Sequence, residues 1–164
     1  MEIPSETRIG HVHLKVSDLE KSLAFYHHLL GFNIVQRIGS QAVFLSAGGY
    51  HHHIALNTWE SEGGRRPLSS MTGLYHVAIL YPSRINLAHA VKRLLDNSWP
   101  ISGASDHGVS EAIYLADPDE NGIELYHDRQ EEEWPFESDG SLRMHSRPLD
   151  LQELLTHASK TDSN

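Results

Sequence analysis

The chain repeats itself. The segment His11-Val12-His13-Leu14-Lys15-Val16 returns 65 residues later as His76-Val77-Ala78-Ile79-Leu80-Tyr81. Further on, Ile54-Ala55-Leu56 returns 69 residues later as Ile123-Glu124-Leu125. A repeat constrains architecture more than any single motif does, because each copy must be the same supersecondary unit. Two copies, residues 8–58 and 73–128, account for most of the 164 residues.

The first copy reads strand, helix, then three strands. Ile9 to Val16 alternates and ends at Ser17-Asp18, a suitable helix N-cap pair. Leu19, Leu23, Tyr26, Leu29 and Leu30 form an apolar stripe at helical spacing, and Gly31 is placed to end that helix in a left-handed conformation. His27 and His28 on this helix are expected to face solvent. Residues 33–38 and 41–47 read as strands across Gly39-Ser40, and residues 52–58 as the last strand. The second copy follows the same order. Residues 74–81 form a strand, Pro82-Ser83 starts a helix carrying Ile85, Ala88, Val91, Leu94 and Leu95, and Trp99-Pro100 ends it. Strands follow at 100–102, 112–115 and 123–127, the last entered through the turn 117–122. The expected fold is therefore α+β, with paired βαβββ modules forming a curved, incompletely closed mixed sheet and helices outside. Residues 1–128 make one domain with a polar linker at 59–72. Residues 129–164 form a charged extension with one short helix around Leu149, Leu151, Leu154 and Leu155, fraying at its end.

Composition removes several functions. Acids outnumber bases 22 to 13, a formal charge of -9, which disfavours a nucleic-acid partner. With no cysteine there is no disulfide, zinc finger or thiol nucleophile, which is compatible with a cytoplasmic home. No apolar run is long enough to span a bilayer, and residues 1–8 carry no secretory apolar region. The 13 histidines are the unusual count, and most are expected to be exposed and idle.

Strand alternation selects a few of them. Val12, Leu14 and Val16 suit packing under the helix, which turns His11, His13 and Lys15 the other way. In the second copy Val77, Ile79 and Tyr81 take the helix side, leaving His76 and Ala78 opposite, and Ile123 and Leu125 leave Glu124 and Tyr126 opposite. A curved sheet with outer helices aims His11, His76 and Glu124 into one concavity. Two imidazoles and one carboxylate are the facial set that holds a divalent metal and leaves open positions for two substrate oxygens and one further small molecule. The fourth equivalent place is Ala55, which cannot ligate. The bland alternative is a satisfied strand histidine and a structural salt bridge.

These residues resemble the vicinal oxygen chelate superfamily, which includes glyoxalase I, fosfomycin and bleomycin resistance proteins and extradiol ring-cleavage dioxygenases. The resemblance covers about residues 8–128. It is carried by His11 before Val16-Ser17-Asp18-Leu19, by Phe25-Tyr26 and Leu30-Gly31-Phe32, by His76, and by Asp117-Pro118-Asp119-Glu120-Asn121-Gly122-Ile123-Glu124-Leu125. Within the superfamily the chain looks most like catechol 2,3-dioxygenase-type proteins. Tyr114, ten residues before Glu124, matches their active-site tyrosine. The run His52-His53-Ile54-Ala55-Leu56 matches the strand bearing a proton-handling histidine, with His52 the better match, although alternation puts His53 on the face of Ala55. His107 resembles a further substrate-side histidine at a spacing two residues off.

The resemblance implies an Fe(II) extradiol-type dioxygenase, with Mn, Zn, Ni or Co as alternative metals. His11, His76 and Glu124 would be the ligands, His52 and Tyr114 the catalytic residues, and a small molecule chelating through two oxygens the substrate. Two other readings stay open: a glyoxalase-like lyase or isomerase, and a non-catalytic drug-binding dimer. Extradiol enzymes of this type usually carry two such paired units, and this chain has one. A homodimer is expected, the site being closed within one chain or by exchange between chains.

Overall fold

Residues 2–68 and 70–159 of the computed structural model are described, Ser159 by its backbone alone; the expected fraying at 160–164 lies outside them. The chain divides into two compact units, Met1–Leu68 and Ser69–Asn164. The first runs β1 (Val12–Lys15), α1 (Leu19–Leu23), β2 (Asn33–Ile38), β3 (Ala42–Ser46) and β4 (Ile54–Asn57), with sheet order β1-β4-β3-β2. β1 and β4 are parallel and the other pairs antiparallel. The Asp18 carboxylate accepts from the N–H groups of Glu20 and Lys21, satisfying donors that the first helical turn leaves free. The β1 strand is shorter than its apolar pattern, because its pairing with β4 runs only from Val12 to Lys15, and Ile9 is left 95% exposed.

The helix departs from the expected regular stripe. From Ala24 to Leu29 the backbone widens into π geometry, and the Leu30 N–H donates to the Phe25 carbonyl at 2.8 Å. A regular α-helix turns about 100° per residue and would carry one of two adjacent side chains away from the core. The wider turn instead buries the consecutive Phe25 and Tyr26 completely, together with Leu29 and Leu30. Gly31 then takes φ +91°, the left-handed exit expected of it. His27 does not simply face solvent: it is half-buried, and its Nδ1 donates to the Phe32 carbonyl at 2.6 Å.

The second unit repeats the order: β5 (Val77–Leu80), α2 (Arg84–Asp96), β6 (Ile101–Asp106), β7 (Ser110–Ala116) and β8 (Gly122–Asp128). It then adds β9 (Arg147–Pro148) and α3 (Leu151–Ser159). The sheet order is β5-β8-β7-β6-β9, with β5 and β8 parallel. The two mixed sheets, of four and five strands, are the paired modules read from the repeat. Ser83 caps α2 by accepting from the Asn86 N–H. The buried face of α2 is Leu87, Ala88, Ala90, Val91 and Leu94, whereas Ile85 and Leu95 lie round the helix and are about two-fifths exposed. β6 extends well past the expected 102, because it pairs with β7 on one side and β9 on the other. No helix among the described residues is long and apolar enough to cross a membrane.

The extension is integral to the second unit. α3 packs on α2 and buries Leu154 and Ala158 completely. Arg84, at the start of α2, donates from Nε to Glu111 on β7 at 2.6 Å and pairs with Glu153 on α3 through both terminal nitrogens. Truncating Leu154→Ala should therefore cost about 2–5 kcal/mol of unfolding free energy, the range for emptying a buried leucine site. Urea unfolding followed by circular dichroism reads this as a lowered midpoint; an unchanged midpoint would mean that α3 is not docked.

Candidate functional site

The two ladders are superimposable in register. Val12 pairs with Ile54 in the first unit, and Val77 with Ile123 in the second, the same positions of the repeat. His11 and His76 each stand one residue before the parallel ladder begins. Ala55 and Glu124 each stand at its second position, opposite His13 and Ala78. Ile123 and Leu125 are at 1% and 0% exposure, so they hold Glu124 on the face away from the helix.

In the second unit His76, Tyr114 and Glu124 meet. The carboxylate Oε2 of Glu124 lies 3.0 Å from Nε2 of His76. Tyr114 is directly across from Glu124 on β7, and its hydroxyl donates to Oε1 at 3.1 Å. Burial, followed by the charge and hydrogen bond of Glu124, pushes the Tyr114 phenol up to about 12. The phenol is consequently neutral and a donor at physiological pH. His107 Nε2 lies 2.7 Å from the phenol oxygen, and its Nδ1 lies 2.8 Å from the carbonyl of His145. The group borders a cavity of about 240 Å³ lined by Tyr75, His76, Ser102, Tyr114, Gly122 and Ile123. Gly122 is required by a close approach: a Cβ there would stand 2.1 Å from the Tyr75 carbonyl oxygen and 3.1 Å from His76 Cβ.

The donor chemistry of this group fits a divalent metal. Two donors about 2.1 Å from one cation and at right angles to each other lie roughly 3.0 Å apart. The His76–Glu124 separation matches that distance, and Glu124 is held from its other oxygen by Tyr114. Nδ1 of His76 is buried with no hydrogen-bond partner among the described residues. Among the described residues no group of three His, Asp or Glu side chains is gathered as a metal centre. His11, the third ligand read from the repeat, belongs to the first unit.

Within that first unit His11 and His52 come together. Their ring centroids are 4.3 Å apart, and the His52 ring also lies 5.1 Å from that of Phe44. Burial, and then the imidazoles of His11, His51, His13 and His53, hold His52 below the ordinary histidine value. His53 turns elsewhere: its Nδ1 is 3.0 Å from Ser46 Oγ and accepts from the Ala47 N–H. Both residues precede β4, which begins at Ile54, although the His53 backbone still bonds to Val12 and Leu45 on either side. His13 is taken up by Asn57, whose side-chain NH₂ donates to Nε2 at 2.8 Å. Sequence reasoning did not find the buried Glu111 between Arg84 and Arg129; its one signal was an acid inside an apolar strand.

Comparison with known proteins shows the family and the fold. Residues 8–125 match the family model of the Glyoxalase/Bleomycin resistance protein/Dioxygenase superfamily. The chain is 40% identical over 156 residues to catechol-2,3-dioxygenase of Bacillus subtilis (strain 168), covering 95% of the chain and 54% of that enzyme. It thus spans about half the length of this relative. It is 29% identical over 126 residues to lactoylglutathione lyase of Neisseria meningitidis, covering 72% of the chain and 88% of that enzyme. A glyoxalase/dioxygenase from Nostoc punctiforme has the same fold, with a TM-score of 0.64 at 19% identity over 79% of this chain and 97% of that one. With a repeat in register, the closing Glu124 strand and these matches in agreement, the chain belongs to the Glyoxalase/Bleomycin resistance protein/Dioxygenase superfamily.

Proposed function

We propose that the chain is an Fe(II)-dependent extradiol-type dioxygenase that opens the ring of a catechol-like substrate. The observation that carries this reading is the 40% identity to a catechol-2,3-dioxygenase over nearly the whole chain. The His76–Glu124–Tyr114 group supports it independently. His11, His76 and Glu124 would hold the ion. A metal held there would supply Lewis acidity toward the substrate hydroxyls.

The remaining work belongs to side chains. Tyr114, neutral and beside Glu124, would turn its one O–H from that carboxylate to a neighbouring substrate oxygen. His52, depressed by burial and its neighbouring imidazoles, is neutral near pH 7 and accepts a proton from the substrate or from oxygen species. Phe44, half-buried beside the His52 ring, offers an apolar flank that suits an aromatic ring. A homodimer would cover the edge strands that each sheet leaves.

A second reading, a glyoxalase-like lyase or isomerase, is favoured by the match to lactoylglutathione lyase. Ala55 opposes it, since a fourth ligand would be expected at that place.

Protein reconstituted anaerobically with Fe(II) should consume oxygen when given catechol or a substituted catechol. Zinc-loaded protein should not, and His76→Ala and Glu124→Ala should lose both bound iron and oxygen uptake. Absence of uptake with every simple catechol, or full activity with zinc, would overturn the dioxygenase reading. Gly122→Ala should weaken iron binding, because its Cβ would collide with the Tyr75 carbonyl oxygen and displace His76. Titration with Fe(II) or Co(II) measures this, with circular dichroism reporting the fold.

A further inference from the structure

We infer that the segment after the second module positions the site: the backbone carbonyl of His145 fixes His107 with its proton on Nδ1, so that Nε2 is the nitrogen facing Tyr114. The placement stands on the structure alone; its catalytic consequence rests on the dioxygenase reading.

A carbonyl oxygen only accepts hydrogen bonds. With His107 Nδ1 at 2.8 Å from the His145 carbonyl, that nitrogen must carry the hydrogen. Nε2 is then either a bare lone pair or the second N–H of an imidazolium. The line His107–Tyr114–Glu124 has contacts of 2.7 and 3.1 Å, and the phenol owns a single proton. When the phenol donates to Glu124, His107 must donate from Nε2. When His107 is neutral, the phenol turns its proton to Nε2. Either way Nδ1 keeps its hydrogen; when the phenol turns to Nε2, that contact reverses and the hydrogen bond to Glu124 is given up. The opposite tautomer would set a lone pair against a carbonyl and lose this contact.

The carbonyl is held by several independent ties. β9 pairs with β6, Ser105 to Pro148 and Asp106 to Arg147. The His145 N–H donates to the His107 carbonyl at 3.2 Å, and the Leu149 N–H to that of Ala104 at 3.3 Å. Upstream, Trp134 Nε1 donates to the Arg129 carbonyl at 2.9 Å, and the Arg143 N–H to that of Pro135 at 2.8 Å. Gly108 makes room for the strap. Its φ is +79°, and a Cβ there would lie 2.7 Å from the His145 ring and 3.0 Å from Pro135. The extension is therefore wedged against the β6–β7 turn directly behind the proton line.

Long-range ¹H–¹⁵N correlation spectra of the metal-free, full-length protein test this, with His107→Gln identifying the signal. The expected result is a pyrrole-type, protonated Nδ1 for His107. A pyridine-type Nδ1 with the hydrogen on Nε2 would overturn the inference. Gly108→Ala should push the strap away and shift His107 toward the Nε2–H form. His145→Ala keeps the carbonyl and should leave the tautomer as in the wild type; if it shifts the tautomer as Gly108→Ala does, the ring and not the carbonyl is responsible and the inference fails. Should Gly108→Ala not fold, the wild-type and His145→Ala spectra decide. The readout needs neither metal nor oxygen. An intact Nδ1–H signature in protein inactive toward catechols would sink the dioxygenase reading alone, and an Nε2–H signature in an active enzyme would sink this inference alone.

Discussion

Everything in the site depends on the last strand of each module returning to lie parallel to the first. Hairpins join β2, β3 and β4, but the parallel pair can form only because the α1 crossover moves the chain across the sheet. The same device brings β8 beside β5 in the second unit. Residues far apart in the chain thereby become neighbours, as His76 and Glu124 do at 3.0 Å. Register is the sensitive variable. A slip of one residue would turn Glu124 into the apolar layer and Ile123 or Leu125 out of it. The complete burial of those two side chains, set against the desolvation of a carboxylate, makes the observed register the one that satisfies both demands.

This constraint was legible before any coordinates. Alternation in short strands assigns faces directly, so His76 and Glu124 could be put on one side and Val77, Ile79, Ile123 and Leu125 on the other. The duplication supplied the equivalence of Ala55 and Glu124. Asp18, Ser83 and Gly31 could be read as helix punctuation because their chemistry is local. What escaped depends on tertiary contacts. The π turn answers the need to bury Phe25 beside Tyr26, which no α-helical period describes. β9 is an Arg-Pro dipeptide with no apolar pattern, recognisable only by the β6 edge it covers. His107 sits in a turn, where its direction follows from Gly108 and the strap rather than from any spacing.

The second unit also holds a buried acid away from the candidate site. Glu111 is 6% exposed and lies between Arg84 and Arg129, which reach it from α2 and from the end of β8. Such a charge is tolerated inside only when its partners satisfy it fully. Here the partners serve other carboxylates as well: Asp106 through Arg129, and Glu153 through Arg84. One ionic knot therefore joins α2, β6, β7 and α3. It explains how a strongly acidic chain keeps its C-terminal helix on α2.

Ala55 has one further meaning. A gene duplication begins with interchangeable halves, and the matching ladders show how little the backbones have since parted. Their side chains have parted. The second sheet carries a carboxylate, Glu124, where the first carries the fully buried Ala55. The two halves are therefore alike in backbone and not interchangeable in chemistry.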